Sequence, residues 1–99
     1  MAHDLKDEFV IEMGYSRKEF IQNFPAMADD LPYQIKQNTI QLKEADRQLL
    51  IKLGADQPRK IASLTIPRIE VTFQFSGYST VELERFMENF RRHYHKGGG

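Results

Sequence analysis

Ile69-Glu70-Val71-Thr72-Phe73-Gln74-Phe75-Ser76, running directly into Gly77-Tyr78-Ser79-Thr80-Val81-Glu82-Leu83, is the stretch from which the fold can be read. Ile69, Val71, Phe73 and Phe75 alternate with polar residues, the period of a strand with one apolar face. Gly77 breaks the strand. Ser79 then stands as an N-cap with Glu82 three residues on, so that each side chain accepts a hydrogen bond from the other residue's backbone N–H, and Tyr78 and Leu83 have the spacing of a hydrophobic staple. Leu83, Phe86, Met87, Phe90 and Tyr94 follow at intervals of three and four, the stripe of an amphipathic helix. Glu82 and Glu84 sit in its first turn and Arg91, Arg92, His93, His95 and Lys96 near its end, the distribution a helix dipole favours, and Gly97 supplies a stop.

The same joint occurs once before, 63 positions earlier, as Gly14-Tyr15-Ser16-Arg17-Lys18-Glu19-Phe20. It follows a strand that presents Phe9, Ile11 and Met13 on one side, and it opens a helix carrying Phe20, Ile21 and Phe24. Pro25 cannot donate to the preceding turn, so regular helix is expected to end near Phe24. The strands between the two joints show no second matching half, so the repeat reads as one local solution used twice and not as a duplication. A helix N-terminus also attracts anions, but Glu19 and Glu82 compete for that place.

Between the joints, Tyr33 and Ile35, then Ile40 and Leu42, alternate with polar residues, and the phase slips at Gln37-Asn38-Thr39, where a tight turn or bulge belongs. A polar hairpin connection at Glu44 to Arg47 leads to a strand with Leu49, Ile51 and Leu53 on one side. After a turn at Gly54 to Pro58, the chain reads as extended from Lys60 to Phe75. Pro67 divides it into two strands, the first with Ala62, Leu64 and Ile66 in phase.

The expected order is β-α-β-β-β-β-α, with a short extra strand around 33–37. That makes an α+β domain: a mostly antiparallel sheet of five or six strands with both helices on one face. Phe9, Phe20, Phe24, Ile51, Phe73, Phe75, Phe86 and Phe90 are the expected core. Residues 1–8 are expected to be a flexible N-terminal tail, 9–96 a single domain and 97–99 a flexible glycine tail. In element order the chain resembles one half of the TATA-binding-protein-like fold and a trimmed helix-grip domain. The resemblance is one of topology, and no activity follows from it.

Composition narrows the function. With 99 residues and 40% hydrophobic content, one domain can bury roughly 60–70% of its unfolded surface. Fourteen basic side chains balance fourteen acidic ones, which gives no bulk attraction to nucleic acid or anionic membrane. Nine acidic and six basic residues fall in positions 1–50, five and eight in the rest. The absence of cysteine excludes disulfides, thiolate metal sites and cysteine nucleophiles, and gives no sign of an oxidising compartment. The polar segment from Met1 to Glu8 is unlike a secretory signal, and no apolar run has the length of a membrane span. A soluble cytoplasmic protein without membrane contact is expected.

No nucleotide-binding glycine pattern, phosphate loop or nucleophile elbow is present. No catalytic, cofactor-binding or metal-binding residue is assigned, and no cofactor is expected. His93 and His95 point about 200° apart on a helix and cannot share an ion. Glu12 and Glu70 fall in the polar phase of their strands, and Asp29-Asp30 is a loop pair too small to define a cation site. Gly97-Gly98-Gly99 resembles the end of a ubiquitin-like carrier only in composition, since it follows a helix and not a strand.

Two surfaces stand out. Arg91, Arg92, Tyr94 and Lys96 form a candidate anion or nucleic-acid patch, though a nucleic-acid partner is disfavoured by the neutral overall charge and by a polar sheet face of Gln41, Lys43, Lys52, Thr72 and Gln74. Val10, Leu50 and Ile61 are apolar residues out of phase with the core, a candidate self-association patch for a homodimer or a protein partner. The function expected is a non-catalytic binding or assembly module using the open sheet face or the groove between the sheet and the C-terminal helix. The alternative is a small-ligand-binding protein or enzyme with an apolar pocket between that helix and the strands, lined by Phe73, Phe75, Phe86 and Phe90.

Overall fold

The computed structural model of the protein describes residues 7–95. Of the expected N-terminal tail at 1–8, residues 1–6, His3 among them, lie outside the described residues, as do Lys96 and the expected glycine tail at 97–99; Asp7 and Glu8 are described, Glu8 as the first residue of the first strand. The elements are β1 (Glu8–Met13), α1 (Arg17–Ala28), β2 (Tyr33–Lys36), β3 (Thr39–Glu44), β4 (Arg47–Leu53), β5 (Arg59–Ile61), β6 (Leu64–Ile66), β7 (Ile69–Ser76) and α2 (Thr80–His93). Five strands form one antiparallel sheet in the order β1-β7-β4-β3-β2, and β5 and β6 form a separate hairpin. The α+β class, the antiparallel sheet and the short extra strand at 33–36 are as expected. α1 carries the chain from one edge of the sheet to the other.

The register explains the core. Phe9 lies opposite Phe73, and Phe73 opposite Ile51; Leu49 lies opposite Phe75 and Leu42. These side chains share one face, and both helices lie on it. Phe73 meets the Phe90 ring edge-on at 5.0 Å and Phe75 meets Phe86 at 5.7 Å. Phe20 on α1 reaches Phe90 at 5.9 Å, which closes the layer. Of the eight expected core residues, seven are buried and Phe9, at the sheet edge, is half-buried.

Both joints contain complete capping boxes, Ser16 with Glu19 and Ser79 with Glu82. Their tyrosines meet rings outside their own helices: Tyr15 meets Tyr94 edge-on at 5.3 Å, and Tyr78 meets Phe75 at 5.0 Å with the Arg47 guanidinium over its ring.

Two expectations are corrected. α1 does not end near Phe24; it continues through Pro25 to Ala28. Met27 and Ala28 are buried, and Asp29 N–H bonds the Pro25 carbonyl at 2.9 Å, so packing and the closing turn outweigh the donor that proline lacks. The segment from Lys60 to Ile66 is not one strand. It folds back at Ala62-Ser63 into the β5–β6 hairpin, pairing Ile61 with Leu64 and Arg59 with Ile66. Ala62 takes a φ of 56°, as Gln37 (53°) and Ala45 (56°) do in the β2–β3 and β3–β4 turns. All three are first central residues of two-residue turns, where a positive φ is the type II′ geometry normally given to glycine.

Candidate functional site

Side chains on the face away from the helices form cross-strand rows. One runs Glu8, Gln74, Leu50, Gln41, Gln34, and the next Val10, Thr72, Lys52, Thr39, Lys36. On this open face the central strand β4 carries Gln48, Leu50 and Lys52 among amide and hydroxyl neighbours, with Glu8, Glu12 and Glu70 on β1 and β7 and Lys36 and Lys43 on β2 and β3. Leu50 is half-buried between glutamines, and Val10 is 57% exposed. Val10 and Leu50 share this face but are separated by β7. Ile61 is elsewhere, on the β5–β6 hairpin, so the three residues do not form one patch.

The hairpin is the most apolar exposed feature of the described residues. It is inserted in the connection between β4 and β7, flanked by Pro58 and Pro67, and its base is tied by the Gln57 N–H to the Arg68 carbonyl at 2.9 Å and by the Arg68 side chain to Glu12. Arg59, Ile61, Leu64 and Ile66 share one face of it, because each pairs with another of the set. Ile61 is 50% exposed, Leu64 64% and Ile66 39%. An isolated two-stranded hairpin is marginal in water, and one with an uncovered aliphatic face is more so.

Beside this arm runs the edge strand β1. The Phe75 N–H bonds the Asp7 carbonyl at 2.8 Å, and in an antiparallel ladder bonded residues alternate. Glu8, Val10 and Glu12 therefore turn their backbone N–H and C=O groups outward from the sheet. Asp7, Glu8 and Glu12 make that edge acidic; the arm carries Arg59 and Lys60 and no carboxylate. Between arm and edge lie a cleft of about 190 Å³, bordered by Glu12, Met13, Ile61 and Ile66, and a groove of about 560 Å³ reaching Ile11, Tyr15 and Tyr94.

At the end of α2, Arg91 and Arg92 are exposed, while Tyr94 is 7% exposed and donates its hydroxyl to the Phe20 carbonyl at 2.7 Å. Burial pushes the Tyr94 hydroxyl pKa well above its ordinary value. Its ring stacks on Phe20 and Phe90, both at 4.6 Å, and so faces the core. Glu12 and Glu70 lie directly opposite one another on the open face, as their phase implies. Among the described residues no group of three or more His, Asp or Glu side chains could hold a metal ion, and no helix is long and apolar enough to cross a membrane.

Sequence reasoning missed Leu64 and Ile66 as surface residues. The available signal was the pair of prolines bracketing eight residues, with aliphatics on either side of the small pair Ala62-Ser63. It also missed Arg17, whose N–H bonds Asp56 Oδ1 at 2.8 Å and whose Nε bonds the Gly54 carbonyl at 2.7 Å, anchoring the first turn of α1 to the loop after β4. No family model, no curated protein and no solved structure matches the chain.

Proposed function

We propose that the protein is a non-catalytic binding or assembly module whose contact surface is the β5–β6 arm with the adjoining β1 edge. The observation that carries this reading is the aliphatic face of Ile61, Leu64 and Ile66, exposed on a two-stranded arm that stands outside the core. Ordered apolar side chains on a projecting hairpin cost solvation in the free chain and recover it on contact with a partner. The open sheet face beyond β1 supports binding less well: its aliphatic Leu50 is half-buried, and lysine, which is depleted at the centres of protein interfaces, stands on β2, β3 and β4.

The pocket alternative has less support. Phe73, Phe75, Phe86 and Phe90, its intended lining, pack ring against ring. The anion-patch alternative keeps Arg91 and Arg92 but has no stacking ring in Tyr94.

A photo-crosslinking amino acid at position 61 or 64, with one at Gln41 on the open face as control, tests the module reading in cells producing the protein. A covalent adduct from the arm positions and none from Gln41 is expected. Absence of any adduct from the arm would sink it.

A further inference from the structure

We infer that the occupant of this surface is a second copy of the same chain, each arm lying along the β1 edge of the other; the inference rests on the arm being the contact surface. Three observations select a second copy. The first is charge. The arm is basic through Arg59 and Lys60, and the outer edge of β1 is acidic through Asp7 and Glu8, with Glu12 shared with Arg68 of its own chain. Each of the two surfaces thus repels its own kind and attracts the other, a pattern that favours arm-to-edge over arm-to-arm contact.

The second is pattern. On the β1 edge the exposed Val10 is flanked by Glu8 and Glu12, which share its face, and on the arm Ile61 stands beside Arg59 on one face. An arm set against that edge brings aliphatic to aliphatic and guanidinium to carboxylate, the pairs that stabilise neighbouring strands. The outward N–H and C=O groups of Glu8, Val10 and Glu12 are also those an added strand would meet.

The third is position. Arm and edge adjoin one another at the Met13 end of β1, where residues of both border the same cleft of about 190 Å³. A two-fold axis passing beside that corner lays each arm along the other copy's β1, so both contacts form together and the assembly closes as a dimer. An arm and an edge at opposite ends of the sheet would favour head-to-tail contacts, which close as a ring or run on as an open chain.

Light scattering on the full chain during size exclusion gives the first test: at about 100 µM, ample for a micromolar dimer, the mass should be twice the 11.6 kDa of one chain. An Ile61→Lys, Leu64→Lys double variant should be monomeric, with a melting temperature that matches wild type diluted far enough to dissociate and does not vary with protein concentration. The decisive test uses two further variants. Arg59→Glu with Lys60→Glu reverses the arm, and Asp7→Lys with Glu8→Lys reverses the edge while leaving the Glu12–Arg68 tie in place. Each alone should lose dimerisation by about tenfold or more in Kd, and an equimolar mixture should restore it, because both contacts of the mixed dimer are again of opposite sign. Raised salt should weaken the wild-type dimer.

A wild-type mass of one chain would overturn the inference, as would a mixture that stays monomeric while wild type dimerises. Should the wild-type chain be monomeric while the crosslinker at position 61 captures a different protein, the second copy is excluded and the module reading stands. No adduct at all would remove both.

Discussion

Gly77 and Gly14 occupy the same place in two copies of one motif, yet only one of them has to be glycine. Gly77 has a φ of 81°, and a Cβ there would lie 2.5 Å from the Asp46 carbonyl oxygen; at Gly14 the nearest atom, the Pro67 carbonyl oxygen, is 3.8 Å away. Gly77→Ala should therefore cost more than about 2 kcal/mol, combining a left-handed backbone with a collision against main chain. Gly14→Ala should be neutral or stabilising by up to about 1 kcal/mol, through loss of freedom in the unfolded chain. Chemical denaturation of the two variants checks the contrast, and equal losses would contradict it. Tyr94 gives a second case. Its hydroxyl bonds a core carbonyl in a buried setting, so Tyr94→Phe should lose about 1 kcal/mol in the same measurement. The glycine contrast was illegible in the sequence, because what distinguishes the two positions is the β3–β4 turn, which reaches Gly77 only once the sheet has formed.

Among the elements, the helices show how local a signal must be to survive translation into structure. Both capping boxes were readable from residue type and spacing, since donor and acceptor lie three positions apart. The end of α1 was not, because the burial of Met27 and Ala28 that carries it past Pro25 is a tertiary effect. The arm was hidden for the opposite reason: its turn uses Ala62-Ser63, residues without the usual turn chemistry, so the aliphatics around it read as one strand. The α2 box also carries a pH dependence. The Ser79 N–H, helped by Arg47, holds the Glu82 carboxyl below its ordinary pKa of 4.5. A carboxyl lowered on folding adds stability above its ordinary pKa and loses it as the pH falls through the lowered value. Wild type should therefore lose more stability than Glu82→Gln between about pH 5 and pH 3. Thermal melts across that range decide it, and parallel curves would show that the box contributes no pH dependence. Ser79→Ala should cost about 0.5–2 kcal/mol at neutral pH.

For the whole molecule, the division is between a body and an arm. Sheet and helices share one continuous core, to which no arm residue belongs. Replacing residues 59–66 by a two-residue Asn-Gly turn should leave the body folded, at a cost of less than about 1 kcal/mol. Circular dichroism and a melt check this, and an unfolded product would mean that the arm is part of the folding unit. The body's class was legible because alternation and helical stripes state which residues face inward. The strand order was not, since nothing in the residues of β1 names β7 as its neighbour. That pairing has a consequence in time. Gln74 donates to the Glu8 side chain across 66 positions of sequence, and synthesis at about 5–20 residues per second puts about 3–13 s between the two strands. Throughout that interval β1 has been made and has nothing to pair with. Asp7, Glu8 and Glu12, which give its edge an acidic character in the finished fold, would by the same charge keep the nascent strand from pairing with copies of itself on neighbouring ribosomes.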